Sequence, residues 1–212
     1  MSLTVKETKG GGSAPIEPGA YPARCVGVVD LGIQHNDFNN KDQEKVRLIF
    51  ELPTERVQVD GEDKPRWLSK PYTASLHEKS TLRHDLDAWR GKPFTQEELA
   101  GFNLANVINA PCLLTVVNQE GKNGGTYAKI AGISKPMKGM EVPPLENEPI
   151  QFDMDAEDAE ETLKLLPTWM QDEVQKSVTW KARMSGPFED ADGTASSRFK
   201  GAAALWNTLK SL

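Results

Sequence analysis

The chain has 212 residues, of which 38% are hydrophobic and 26% are charged, and its formal net charge is −6. This size and composition are typical of one globular domain with an extension, or of two small domains. No apolar run approaches the roughly 20 residues that a membrane-spanning helix needs. Residues 1–14 are polar and Gly-rich and lack the apolar stretch of a signal peptide. We therefore expect a cytoplasmic protein with no membrane partner.

The charge is unevenly distributed along the chain. Residues 1–140 contain 18 Lys and Arg against 17 Asp and Glu, whereas residues 141–212 contain 7 against 14. Between residues 141 and 161, nine side chains are acidic and none is basic. Together with the composition, this asymmetry predicts a flexible segment over residues 1–18, a folded domain over 19–140, and an acidic linker with a helical extension over 141–212.

Three strands are predicted in the first part of the chain. Residues 20–34 are rich in β-branched side chains and predict a long strand with bulges or bends at Gly27 and Gly32. Residues 45–52 alternate between apolar and polar side chains, which predicts a second strand. Its apolar face consists of Val46, Leu48, Phe50 and Leu52. Residues 66–74 predict the third strand.

The second and third strands are separated by residues 53–65, which predict a polar connection with a turn at Asp60-Gly61. A helix follows, because apolar residues recur at helical spacing at Leu82, Leu86 and Trp89. Ser75 and Glu78 have the spacing of a capping box at its start, and Gly91 can end it. A second short helix is predicted to begin at Thr95, with Glu98 completing another capping box.

Residues 111–119 and 127–134 predict the fourth and fifth strands, joined by a hairpin loop over 121–125. Beyond them, we expect a proline-rich linker over residues 136–149. Three amphipathic stretches are expected after it, at residues 156–166, 168–177 and 199–209. The order of three strands, a helix and two strands predicts a mainly β protein. The predicted fold class is a β-barrel of OB type, β-β-β-α-β-β, with a partly helical acidic C-terminal extension. Such barrels commonly present one face to single-stranded nucleic acid.

Enzyme and metal signatures are missing from the sequence. There is no phosphate-binding loop and no nucleophile elbow. His35, His77 and His84 are scattered, and Cys25 and Cys112 lie in predicted strands as buried, reduced thiols. We therefore expect a binding protein that is not an enzyme and has no cofactor or metal.

Basic and aromatic side chains interleave on several predicted strands. Binding of single strands requires cations for the phosphates and flat rings for the bases. The candidate nucleic-acid-binding residues are Arg24, Lys45, Arg47, Trp67, Lys70, Tyr72, Tyr127 and Lys129. Lysines on strands also prevent edge-to-edge aggregation, and aromatic side chains fill interiors as well as surfaces. Each residue alone therefore leaves a structural role open, and the combination favours binding.

Several short motifs resemble a family of bacteriophage proteins. They are residues 19–25 (GAYPARC), 28–34 (VVDLGIQ), 50–53 (FELP), 70–76 (KPYTASL) and 127–133 (YAKIAGI). Over about residues 17–140 the chain looks like the OB-fold single-stranded DNA-binding proteins of phage replication clusters. The resemblance implies a protein that coats single-stranded DNA, independently of sequence, during phage replication or recombination in the host cytoplasm.

The acidic segment 141–161 leaves alternatives open. It is a solvated linker, a polyanion that competes with nucleic acid for the basic face, or a contact for replication or recombination proteins. The rival hypothesis is an OB-type protein-interaction module, a replication accessory or nuclease inhibitor that uses this segment as a nucleic-acid mimic. A structural virion component is a further alternative. The extension also contains large apolar side chains that are costly to expose to water, among them Trp169, Met170, Val174 and Trp180. We therefore expect that it either folds back onto the barrel or forms a homodimer.

Overall fold

The structure of the protein, a computed structural model, describes residues 16–36, 40–59, 61–121 and 124–185. The predicted flexible start of the chain, up to residue 15, and the predicted amphipathic stretch 199–209 lie outside these residues. None of the described helices is both long and apolar enough to cross a membrane.

Five antiparallel strands form a curled sheet. They are β1 (Gly19–Asn36), β2 (Lys41–Val59), β3 (Glu62–Thr73), β4 (Pro111–Glu120) and β5 (Thr126–Ser134). Their hydrogen-bonded order is β3-β2-β1-β4-β5, and the terminal strands β3 and β5 contact each other without forming a strand pair. The sheet is therefore a half-barrel with its opening between β3 and β5, and the prediction of a mainly β, barrel-like protein is confirmed.

The long strand β1 bends at the two predicted glycines. Its pairing with β2 shifts register between Cys25 and Gly27, and again between Asp30 and Gly32. Gly32 has a φ of 63°, and a Cβ at this position would lie 2.7 Å from Cε of Met154. Such bulges bend a strand strongly enough for a small sheet to curl.

The hairpin of β2 and β3 is longer than predicted. Pairing continues through the expected polar connection, from Arg56 with Pro65 to Val59 with Glu62. It is interrupted between Leu52 and Arg56, next to Pro53, which has no amide hydrogen to donate. The turn lies where it was predicted, with Gly61 at a φ of 83°. Val57 and Val59 alternate here with Arg56 and Gln58, but Pro53 and the polar residues around this short alternation favoured a loop.

The helix α1 (Thr81–Arg90) covers one end of the half-barrel and contacts β3 and β5. Its predicted start was wrong: Ser80, not Ser75, caps it by accepting from the amide of Arg83 at 3.2 Å. The Ser80 hydroxyl also donates to the Ser75 carbonyl at 2.6 Å, so the preceding residues form a turn. Gly91 ends α1 in the left-handed region, as predicted.

The next helix, α2 (Gln96–Ala100), has the predicted capping box of Thr95 and Glu98. The inner core of the half-barrel lies between the sheet and these helices. It buries the predicted apolar face of β2 with α1 residues, and the rings of Phe50 and Trp89 are 5.6 Å apart.

The C-terminal extension packs on the outer face of the sheet. Strand β6 (Ile150–Phe152) pairs in parallel with β1, and α3 (Ala159–Leu163), α4 (Thr168–Lys176) and α5 (Val178–Met184) follow. A second core joins outer-face residues to the extension: Val26, Val29, Leu31 and Ile49 contact Phe152, Met154, Leu163, Met170, Val174 and Trp180. Of the two alternatives that the sequence left open, the described part of the extension follows the first, packing on the sheet of its own chain.

The extension also departs from the sequence predictions. Residues 141–152 are not a simple solvated linker, since they contain β6 and are held to the sheet by hydrogen bonds described below. The residue before α4 is Pro167, which makes no side-chain cap. The unpredicted α5 is capped by Ser177, which accepts from the amide of Trp180 at 3.0 Å. These features depend on distant partners, which local periodicity does not report.

Candidate nucleic-acid interface

The outer face of β2 is covered at Arg47. Nη2 of Arg47 donates to both carboxylate oxygens of Glu173 in α4, at 2.8 and 2.7 Å, and Nη1 donates to the Ser69 hydroxyl at 3.0 Å. The guanidinium also lies 4.9 Å from the Trp169 ring centroid. Only 11% of the side chain is exposed. The charge of Arg47 therefore holds the extension on the sheet, and it is not offered to a ligand in this structure.

Glu51 and Trp67 lie on the same covered face. Glu51 is 1% exposed and accepts from the backbone amides of Glu146 and Asn147 at 2.8 and 3.3 Å. It also accepts from Nδ2 of Asn147 at 2.6 Å and from Nε1 of Trp67 at 3.4 Å. Trp67 is partly buried against the second core. The four donors explain how a carboxylate is kept inside this interface.

Arg24 fixes the beginning of the extension. Its Nε and Nη2 donate to the carbonyls of Pro143 and Val142 at 2.6 and 2.9 Å, and Nη1 donates to the Asn109 carbonyl at 2.7 Å. Every nitrogen of the guanidinium therefore has an acceptor within the chain. As with Arg47, the structure gives this candidate nucleic-acid-binding residue a role in packing.

Lys70 and Tyr72 share a face, as predicted, and this face turns towards α1. The Lys70 ammonium and the Tyr72 hydroxyl both donate to Oδ2 of Asp85, at 2.6 and 2.7 Å. Tyr72 is only 4% exposed, and burial followed by the charge of Asp85 raises its pKa above the ordinary value. The ring belongs to the inner core and does not present a stacking surface.

Two adjoining concavities meet at Thr81, the first residue of α1. One is lined by the ends of β2 and β3 and the turn to α1, and the other lies at the opening of the half-barrel, lined by β3, β4 and β5. Their volumes are about 520 and about 480 Å³. We call them together the lysine groove, which consists of residues 45, 70–73, 75, 77, 79–81, 117–119 and 129–131. Among the described residues, four lysines and one histidine line the groove, and no Asp or Glu does.

Three lysines of the groove keep their charge available. Lys45 and Lys79 form no ion pair in the described part of the chain, and Nζ of Lys129 donates only to the neutral amide of Gln119, at 3.0 Å. Since the groove also includes the N-terminus of α1, the partial positive charge of the helix end acts in the same direction. The result is a concave surface with a positive local potential on a protein whose net charge is negative.

An exposed aromatic ring lies at the edge of the lysine groove. Tyr127 is 46% exposed and lies two residues before Lys129, so both side chains leave the same face of β5. In the strand pairing Tyr127 lies opposite Gln119, the partner of Lys129. The structure thus brings five candidates to one groove or its edge: Lys45, Lys70, Tyr72, Tyr127 and Lys129. Two of them, Lys70 and Tyr72, are already bound to Asp85.

Sequence reasoning missed Lys79 and His77 as groove residues. Both lie in the turn between β3 and α1, and both are exposed. A lysine and a histidine just before a predicted helix start are a usable signal, because anions favour helix N-termini. The incorrect helix start at Ser75 concealed it, since it placed both residues inside the first turn.

No group of three His, Cys, Asp or Glu side chains in the described ranges could hold a metal ion. Cys25 and Cys112 are buried free thiols, as predicted. Burial raises the pKa of Cys25 from 9.0 to about 12 and also raises that of Cys112. Thiols of this kind are poor nucleophiles.

Comparison with known proteins identifies no relative. The chain matches no protein-family model, no curated protein and no solved structure.

Proposed function

We propose that this protein binds single-stranded DNA independently of sequence, by phosphate neutralisation and base stacking, and coats it during phage replication or recombination. One observation carries the proposal: a groove lined by four lysines and no carboxylate, with an exposed tyrosine at its edge. Cations that follow a backbone together with rings that accept any base are what sequence-independent binding requires.

The strand arrangement supports an OB-type barrel. β1 pairs with both β2 and β4, β3 approaches β5, and α1 lies between β3 and β4 along the chain. In the five-stranded Greek-key barrels of this type, single-stranded nucleic acids are frequent ligands. The fold by itself does not assign a function, and the groove supplies the site-level argument.

The proposed contacts differ from the candidate set drawn from the sequence. Lys45, Lys79 and Lys129 contact phosphates, and Tyr127 stacks on a base. The remaining candidates, Arg24, Arg47, Trp67, Lys70 and Tyr72, hold the extension, the inner core and α1 in place. The nucleic acid therefore follows the opening between β3 and β5, because the outer face of β1 and β2 is covered by the extension.

The test is fluorescence anisotropy of a labelled oligo-dT, titrated with protein at about 50 and about 200 mM salt. Saturable binding that weakens with salt is expected. Tyr127→Ala should weaken binding by about 1–3 kcal/mol, the typical contribution of one stacked ring.

A matched pair of double variants tests the cations. Lys45→Ala with Lys129→Ala should lower the slope of log K against log salt by about 1.4, because each single-strand phosphate contact contributes about 0.7. Lys164→Ala with Lys181→Ala removes two exposed lysines of the extension and should leave the slope unchanged. The proposal would be contradicted if the Lys45→Ala, Lys129→Ala double variant and the Tyr127→Ala variant both bound oligo-dT as tightly as the wild-type protein.

A second candidate function rests on the exposed carboxylates of the extension. Six acidic side chains are exposed from the end of β6 to the first turn of α3: Asp153, Asp155, Glu157, Asp158, Glu160 and Glu161. They are held on a packed surface, which favours recognition by a basic replication or recombination protein, as in a nucleic-acid mimic. Under this rival, the wild-type protein binds no oligo-dT at either salt concentration.

Charge neutralisation separates the two functions better than deletion, because residues 141–161 include β6 and part of the second core. Asp155→Asn with Glu157→Gln should preserve the fold, since both side chains are exposed. Oligo-dT affinity should stay equal or rise if the protein coats DNA.

The homodimer through the extension stays a prediction, which sedimentation velocity at several concentrations tests.

A further inference from the structure

A separate pocket of about 340 Å³ lies at the C-terminal end of α1. We call it the α1 pocket. Its walls are mostly apolar and include Trp89, Phe102 and Val107, and its polar side chains are Arg90, Lys135 and Asn106. No carboxylate lines it within the described part of the chain. It shares no residue with the lysine groove and is a separate concavity.

The first polar group, Arg90, lies between aromatic rings. Its guanidinium is 4.2 Å from the Phe94 ring centroid and 5.6 Å from that of Phe102. Nη2 donates to Glu98, whereas the buried Nη1 has no hydrogen-bond partner among the described residues. Because Nη1 is enclosed by protein atoms, Arg90 contributes positive charge next to the pocket and not an open hydrogen-bond donor.

The other two polar groups lie at the rim. Lys135 is exposed, and its Cδ lies 3.3 Å from the position that a Cβ on Gly91 would take, so its stem crosses the end of α1. It forms no ion pair with any described residue. Asn106 is exposed, and its side-chain amide makes no hydrogen bond in the described structure. The rim therefore offers one free cation and one amide that can both donate and accept.

We propose that the α1 pocket captures the C-terminal residue of a partner polypeptide that ends in an apolar side chain. The side chain enters between Trp89, Phe102 and Val107. The terminal carboxylate pairs with Lys135 and lies towards Arg90, and the last peptide group hydrogen-bonds to Asn106. A small aromatic carboxylate would satisfy the walls and the cation but leave the amide of Asn106 unmatched. Apolar walls with a few convergent polar groups are typical of ligand sites, and carboxylate capture is a known mode of peptide recognition.

The probe is acetyl-Gly-Gly-Phe with a free carboxylate, titrated into the ¹⁵N-labelled full chain and followed by NMR. We expect shifts confined to the α1 pocket. The same peptide with a C-terminal amide should bind about tenfold more weakly, the effect of one charge-assisted contact. Lys135→Ala should reduce the affinity for the acid to that for the amide. Lys138→Ala, an exposed lysine outside the pocket, should have no effect.

Several outcomes would overturn the proposal. They are equal affinities for acid and amide, an unchanged affinity in Lys135→Ala, or no shifts at millimolar peptide. Phenylpropionate that binds as tightly as the peptide would show that the pocket takes a small carboxylate and not a polypeptide end. Because Lys135 is exposed, its replacement should leave the fold and oligo-dT binding unchanged, which separates this site from the lysine groove.

Discussion

Lys45 and Arg47 lie two residues apart on the same face of β2, yet the structure gives them different roles. Arg47 binds Glu173 under the extension, and Lys45 lines the lysine groove without an ion pair among the described residues. Replacement of each by Met removes the charge and keeps an apolar stem. We expect Arg47→Met to reduce stability and spare nucleic-acid binding, and Lys45→Met to do the reverse.

The magnitudes follow from burial. Loss of one partner of a fully buried ion pair costs about 3–5 kcal/mol. The Glu173 side chain is 30% exposed, so water partly compensates for its lost partner. Contact with the Trp169 ring contributes up to about 1 kcal/mol. We therefore expect Arg47→Met to lower the free energy of unfolding by about 2–3 kcal/mol. Lys45→Met should change it by less than about 0.5 kcal/mol, as most surface substitutions do.

The assay is urea unfolding monitored by tryptophan fluorescence, with a double-mutant cycle that adds Glu173→Gln. Residues in direct contact should give a coupling energy of about 1–2 kcal/mol. In parallel, oligo-dT anisotropy should show a salt slope lowered by about 0.7 in Lys45→Met and unchanged in Arg47→Met.

Additive effects of Arg47→Met and Glu173→Gln would refute the reasoning, because they would show that the two side chains do not interact. A reduced salt slope in Arg47→Met would also refute it, because it would show that Arg47 contacts phosphates. The outer face of β2 would then be open to nucleic acid, and the route along the opening between β3 and β5 would be wrong.

Two stability predictions complete the set. Gly32→Ala should lower the free energy of unfolding by at least about 1 kcal/mol, because φ is 63° at this position and Met154 must move to admit the new Cβ. The control is Gly132→Ala, where a Cβ would have open space around it. Equal effects of the two substitutions in urea unfolding would contradict the strained conformation inferred for Gly32. Buried Cys25 holds its proton in the folded state, where its pKa rises from 9.0 to about 12. Its contribution to stability is complete below the unfolded pKa and is lost as pH rises from 9.0 towards 12, by about 1.4 kcal/mol per pH unit. Urea unfolding at about pH 8 and about pH 10 should show this decline, and Cys25→Ala should lessen it; an identical decline in both proteins would disprove it.

Local rules in the sequence were sufficient to predict the strands, the bulges and one helix cap. The alternation over residues 45–52 predicted a strand and its inner face, because a strand buries every second side chain whatever its partners are. Gly27 and Gly32 predicted the bulges, and Thr95 with Glu98 predicted a cap, since backbone strain and capping involve near neighbours in the chain. The covalent order of these elements was enough to predict a barrel-like sheet.

The uses of the charged side chains were decided by the tertiary structure. In the sequence, Lys45, Arg47 and Lys70 are equivalent cations on β strands. Arg47 meets its carboxylate 126 residues away in α4, and Arg24 meets the Pro143 carbonyl 119 residues away. A cation with such a partner holds the extension in place, and one without a partner among the described residues stays accessible, as Lys45 does. Periodicity and propensity describe neighbours along the chain, whereas the electrostatic environment of a side chain depends on which distant segment is packed against it.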